Sequence, residues 1–293
     1  MSRIQDILAK AERDGTARRL QASPGAITAP ATVLTPHFDG SAALGTHPFA
    51  PGRVHDEDVY DTSAAAAAPV IAEPASLEPR TAQPTLHPTL VAAIAPHSDV
   101  AEHYRAVRTK LTLREELGPL RTVGVTSPAN GDGKSVTAAN LALTMAQEVQ
   151  RHVVLVDADL RDPSVHRLFA VDRGPGLAEV LAGEASLQDA LIELPDLRLT
   201  LLPAGRTAEY PAELLGSSAM RRTLDELEGR FDRILLDLPS ALPLADVGSV
   251  ASHVDGLLMV VRAGVTQRPV LEQALALFEE QKVLGVVLNE VHP

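Results

Sequence analysis

Thr122-Val-Gly-Val-Thr-Ser-Pro-Ala-Asn-Gly-Asp-Gly-Lys-Ser135 is the stretch on which the fold turns. Its first five residues are a short β-branched run. A glycine-rich turn follows, and from Ser135 to Val149 the pattern becomes helical. Glycines let the backbone curl until its N–H groups face phosphate oxygens, and the helix N-terminus adds a partial positive charge. The ending Gly131-Asp-Gly-Lys-Ser135 is that of a phosphate-binding P-loop, although the consensus glycine is replaced by Pro128. The loop residues Ala129, Asn130, Gly131, Asp132, Gly133, Lys134, Ser135 and Val136 are therefore expected to hold ATP. Lys134 would reach the β- and γ-phosphates, and the Ser135 hydroxyl would ligate Mg²⁺.

Two acidic strand ends lie downstream. His152-Val-Val-Leu-Val-Asp157 continues into Ala158-Asp159-Leu-Arg161, which places Asp157 and Asp159 two residues apart. This strand is expected to adjoin the P-loop strand and to aim both carboxylates at the same phosphates. One use is to hold the metal, directly or through water, and the other is to accept a proton from an attacking hydroxyl. Phe231-Asp-Arg-Ile-Leu-Leu-Asp237 is an apolar strand closing on aspartate, the Walker B pattern, which puts Asp237 with Ser135 and Asp157 around the metal. Asp246 reads equally well as a helix cap and as a catalytic group.

Around these motifs, short apolar runs alternate with helical patterns. Thr122–Thr126, Val153–Val156, Leu197–Leu202, Arg233–Leu236, Gly256–Val261 and Val283–Leu288 read as strands. Ser135–Val149, Met220–Arg230, Ala245–His253 and Arg268–Gln281 read as helices. Strands that are almost wholly apolar are covered on both faces. The alternation predicts an α/β fold, a doubly wound, mostly parallel sheet in a P-loop NTPase domain spanning 97–293, preceded by a disordered N-terminal region. Half of the 22 prolines fall in residues 1–96, among Ala, Thr, Ser and His. Residues 22–96 read as a flexible linker that buries too little apolar surface to offset its ordering entropy. Ahead of it, residues 1–21 read as a short helix with a narrow apolar stripe at Ile4, Ile7, Leu8 and Ala11.

Composition excludes several classes. There is no Cys, hence no disulfide, Cys-ligated zinc, iron–sulfur cluster or Cys nucleophile. Aromatics make up 3% and Trp is absent, which argues against stacking platforms for single strands. A net charge of −12 without a basic stripe argues against nucleic acid as a partner. The first residues lack the apolar core of a signal peptide. The longest apolar run, Ala64 to Ala72, is interrupted by Pro69 and is far short of the ~20 residues that cross a bilayer. A cytoplasmic protein is expected.

From about residue 97 to 291 the chain resembles the bacterial tyrosine kinases of capsule and exopolysaccharide export. The resemblance rests on SPANGDGKS (127–135), VVLVDADLRDP (153–163), GPGLAEVLAGEASLQDAL (174–191), LTLLPAGRTAEYPAELLGS (199–217), FDRILLDLP (231–239) and VVLNEV (286–291). It implies transfer of the ATP γ-phosphoryl to a tyrosine hydroxyl, with Lys134, Asp157, Asp159 and Arg161 as catalytic residues. It also implies that Asn289, at the end of the last strand, contacts adenine. Glu102, Arg105 and Arg108 resemble the family's E-x-x-R-x-x-R oligomerisation motif, whose spacing lines one helix face. The implied partners are further copies of the chain in a ring and a separate membrane-embedded chain-length regulator, which would recruit the protein to the inner face of the membrane.

The family's C-terminal tyrosine cluster has no counterpart before His292-Pro293, and the chain has three tyrosines. Tyr104 and Tyr210 read as structural, the one in the interface helix and the other in a core loop. Tyr60, in the linker, reads as the best acceptor in the chain. Two alternatives stay open: an ATP-binding regulatory switch without kinase activity, and a partition or division-site ATPase. The latter class usually has an extra Lys early in the loop, where this chain has Ala129.

Overall fold

In a computed structural model the described residues are 80–116, 118–242, 246–278 and 282–290. The expected N-terminal helix, most of the expected linker, its disorder, and Tyr60 lie outside them. Eight strands form one sheet: β1 Arg80–Thr81, β2 Thr122–Thr126, β3 Val153–Asp157, β4 Ile192–Leu194, β5 Leu199–Leu202, β6 Arg233–Asp237, β7 Gly256–Arg262 and β8 Val283–Asn289. Their spatial order is β1-β4-β5-β3-β6-β2-β7-β8. Every described pairing is parallel except β4 with β5. The sheet is thus mostly parallel, as predicted, with one edge pair running against it.

Successive residues of β3 supply the two layers. Val153 and Leu155 pack with the P-loop helix Lys134–Ala146, while Val154 and Val156 pack on the opposite face with the helix Ser218–Glu228. Every residue of β2, β3 and β6 is buried, which explains the apolar runs Val153–Val156 and Ile234–Leu236 within them.

Two expectations are corrected here. β3 does not adjoin the P-loop strand, because β6 lies between them. The ordered domain also begins before residue 97. β1 pairs with β4, and Leu90 and Ala92 are fully buried. Asn140 of the P-loop helix accepts the Ala92 N–H at 2.9 Å and donates to the Thr89 carbonyl at 2.9 Å. The Pro, Thr and His content of 80–96 disguised a segment whose polar groups are satisfied by a side chain far along the sequence.

Candidate active site

The P-loop joins β2 to the helix Lys134–Ala146 through two glycines with left-handed backbone, Gly131 at φ 87° and Gly133 at φ 93°. A Cβ at Gly133 would lie 2.0 Å from the Asn289 side-chain nitrogen, so both conformation and space demand glycine there. Asp132 braces the loop. Its carboxylate accepts the Ala129 N–H at 3.2 Å and the Thr266 hydroxyl at 2.6 Å. Asn289 donates to the Asp132 carbonyl at 3.0 Å. Asn130 and Gly131 are exposed at the loop tip, while Ala129, Ser135 and Val136 are half-buried.

Sheet register assembles the charged cluster. Asp157 at the end of β3 is level with Asp237 at the end of β6, and Asp237 is level with Val125 of β2. Lys134 then reaches across from the first turn of its helix. Its Nζ donates to Asp159 Oδ2 at 2.7 Å and lies 3.7 Å from Asp237 Oδ1 and 3.2 Å from Ser135 Oγ. The lysine is 8% exposed and is held among carboxylates. Although burial alone would lower its pKa, Asp237 and Asp159 raise it, and the ammonium stays charged.

The carboxylates differ. Asp157 is fully buried and accepts the Ser164 and Val165 N–H groups, each at 3.0 Å. Burial, together with the neighbouring Asp237 charge, nevertheless pushes its pKa up to about 8. Asp237 is also fully buried, and neither oxygen has a hydrogen-bond partner. Burial raises its pKa while Lys134 opposes the rise. An orphaned carboxylate beside a serine hydroxyl fits a hard divalent cation, so Mg²⁺ suits Ser135 and Asp237, with Asp157 beside them. Among the described residues no group of three or more carboxylate or imidazole side chains forms a metal cage of its own. Asp159 also accepts the Asp162 N–H at 3.1 Å, and Arg161 lies exposed between them.

Sequence reasoning missed Thr266, Ser164 and Val165. Thr266 lies 134 residues from the Asp132 it holds, and the other two act through backbone N–H groups that any residue but proline supplies. No local signal marks them. Asp246 is the first residue of the helix Asp246–Ala251.

The expected oligomer face lies on the helix Asp99–Glu115, but its arginines are turned inward. Arg105 pairs with Glu102 and donates to the Pro96 carbonyl. Arg108 donates to the Thr144 carbonyl at 2.7 Å and pairs with Glu148 at 3.2 Å. Of the tyrosines, Tyr104 is half-buried and burial pushes its pKa up. Tyr210, expected to be structural, is instead 62% exposed.

The pattern of the AAA domain family matches residues 120–268. Tyrosine-protein kinase YwqD of Bacillus subtilis is 34% identical over 68% of this chain and 85% of its own length. This chain belongs to the family of bacterial tyrosine-protein kinases. Tyrosine-protein kinase ptk of Acinetobacter johnsonii is 32% identical over 69% of this chain, which spans only 28% of that longer protein. The kinase domain of the Escherichia coli tyrosine kinase ETK superposes with a TM-score of 0.64 at 27% identity, covering 69% of this chain and 80% of that one. The family assignment agrees with the doubly wound P-loop architecture and with the expected resemblance. Among the described residues no helix is long and apolar enough to cross a membrane.

Proposed function

We propose that this protein transfers the γ-phosphoryl group of ATP, with Mg²⁺, to a tyrosine hydroxyl. The observation that carries the reading is Lys134, held at 2.7 Å from Asp159 and 3.7 Å from Asp237. Without nucleotide the ammonium balances buried carboxylates. Triphosphate competes for it, and Lys134 moving toward the phosphates releases Asp159 to accept the proton of an incoming tyrosine. Bound Mg²⁺ supplies charge neutralisation at the phosphates. Ser135, Asp237 and Asp157 are the residues that would hold it, and Arg161 on the acidic loop adds positive charge at the rim. Asn289 and the loop residues Ala129 to Val136 form the nucleotide's bed. The names of the relatives support tyrosine as the acceptor.

The biological setting proposed is regulation of exopolysaccharide or capsule polymerisation and export. The protein would act at the cytoplasmic face of the membrane, as a homo-oligomer joined to a separate membrane-embedded chain-length regulator.

The test incubates the purified full chain with labelled ATP, Mg²⁺ and a synthetic glutamate–tyrosine copolymer. Tyrosine labelling is expected in the wild type and should be lost in Lys134→Ala, with folding of the variant checked by circular dichroism. ATP hydrolysis without any phosphotyrosine would replace the kinase reading with a nucleotide-dependent switch. Equal labelling by Lys134→Ala would remove the P-loop reading altogether.

A further inference from the structure

Tyr210 lies on a loop joined to the acidic loop of the same site. β5 runs parallel to β3, with Leu202 level with Val156, so the loop after β5 leaves the sheet at the edge that carries Asp157. That loop is tied to the acidic loop: the Ala208 N–H donates to the Leu160 carbonyl at 3.2 Å, and Leu160 follows Asp159. Tyr210 is two positions beyond Ala208, a span of at most about 7 Å. Arg173 fixes the loop from the other side, donating to the Gly205 carbonyl at 2.6 Å and to the Thr207 hydroxyl at 2.7 Å. Tyr210 itself precedes the helix Pro211–Leu215 and accepts the Leu214 N–H on its carbonyl. Its backbone is anchored on both sides while the residue remains 62% exposed. A cavity of about 560 Å³ opens beside it, lined among others by Arg206, Thr207 and Glu213.

These features are those of an acceptor rather than of a packing residue. A buried tyrosine contributes its ring to the core and satisfies its hydroxyl locally, whereas Tyr210 is a largely exposed residue. Glu209 and Glu213 flank it and would repel a triphosphate. Arg206, on the same loop as Tyr210, is paired with Glu184, so it is Arg161 on the acidic loop that adds positive charge beside them.

We propose that Tyr210 is an acceptor tyrosine of the protein's own kinase activity, an assignment that rests on the phosphoryl-transfer reading above. The bond between the γ-phosphorus and the oxygen bridging to the β-phosphate breaks, and that oxygen leaves with ADP. A bond forms between the γ-phosphorus and Tyr210 Oη. The phenolic proton passes to a carboxylate of the acidic loop and from there to water.

The experiment maps phosphate by mass spectrometry on the full chain after incubation with ATP and Mg²⁺, alongside labelling of the glutamate–tyrosine copolymer in the same tubes. Wild type should carry phosphate on Tyr210. Tyr210→Phe should lose most self-labelling while keeping ATP hydrolysis and copolymer labelling, since removing a hydroxyl from a largely exposed residue leaves folding intact. Copolymer labelling with Tyr210 unmodified, or with phosphate on Tyr60 or Tyr104 instead, would overturn the acceptor assignment and leave the kinase reading standing. ATP hydrolysis with no label on copolymer or chain would overturn both.

Discussion

Asp237 is the residue whose environment is hardest to sustain without a ligand. Full burial favours the neutral form of this carboxylate, Lys134 at 3.7 Å opposes that, and Asp157 beside it shares the penalty. Both pKa values lie above the unfolded value of ~3.9, that of Asp157 at about 8. The folded state therefore binds more protons than the unfolded state across that window. Stability follows the difference in bound protons, so the contribution of this pair should fall as pH rises from about 4 toward about 8. Lys134 stays charged throughout and contributes no slope there. The half-buried histidines His166 and His253, whose pKa values are lowered, contribute the opposite slope, so the pair is read by difference. In denaturant unfolding of the nucleotide-free protein, Asp237→Asn should lose part of the falling contribution relative to wild type, because one of the two proton-binding sites is gone. An unchanged slope of stability against pH in Asp237→Asn would contradict the coupling of the pair. The two aspartates were legible in the sequence as strand ends. Their coupling was not, because it depends on β6 lying next to β3.

At the scale of elements, the central strands were readable because burial on both faces leaves an almost purely apolar run, as in Val153–Val156. β4 was not, since three residues, Ile192–Leu194, carry too little periodicity to separate from a loop. Residues 80–96 were misread for a different reason. Pro84 and Pro88 are composition typical of linkers, and the group that orders the segment, Asn140, lies on another element. Asn140→Leu leaves the buried Ala92 N–H without its acceptor. The loss should cost about 2 kcal/mol, the range of an orphaned buried donor. Chemical denaturation measures the change, and limited proteolysis should find a new site between residues 86 and 97. Wild-type stability with no new cleavage would show that the segment is held by Leu90 and its apolar neighbours alone.

Over the whole molecule, the strand ends bring the P-loop and both acidic motifs to one edge of the sheet, as the sequence implied. What the sequence could not supply is which charges are already spent inside the chain. Glu102, Arg105 and Arg108 read as one face free to meet a neighbour. In the fold Arg108 is committed to the Thr144 carbonyl and to Glu148, an internal strut between the helix Asp99–Glu115 and the P-loop helix. Arg105 is held by Glu102 and Pro96. Glu102, with a side chain 65% exposed, is the member of the three open to another subunit, and Val100 and Leu113 on the same helix are 51% and 58% exposed. Substituting all three charged residues would therefore confound assembly with stability, because losing Arg108 removes the donor to the Thr144 carbonyl and leaves Glu148 with Arg151 alone at 3.8 Å. Glu102→Arg separates the two effects. It removes an exposed pair worth about 0–1 kcal/mol, so the unfolding midpoint should barely move. It also reverses the charge offered to an incoming arginine. Light scattering of the wild type is expected to give a mass above the 31.0 kDa of one chain, and Glu102→Arg should bring it down toward that value. A wild type that stays monomeric at high concentration, with and without ATP and Mg²⁺, would remove the ring. An assembly unchanged by Glu102→Arg would move its interface off this helix.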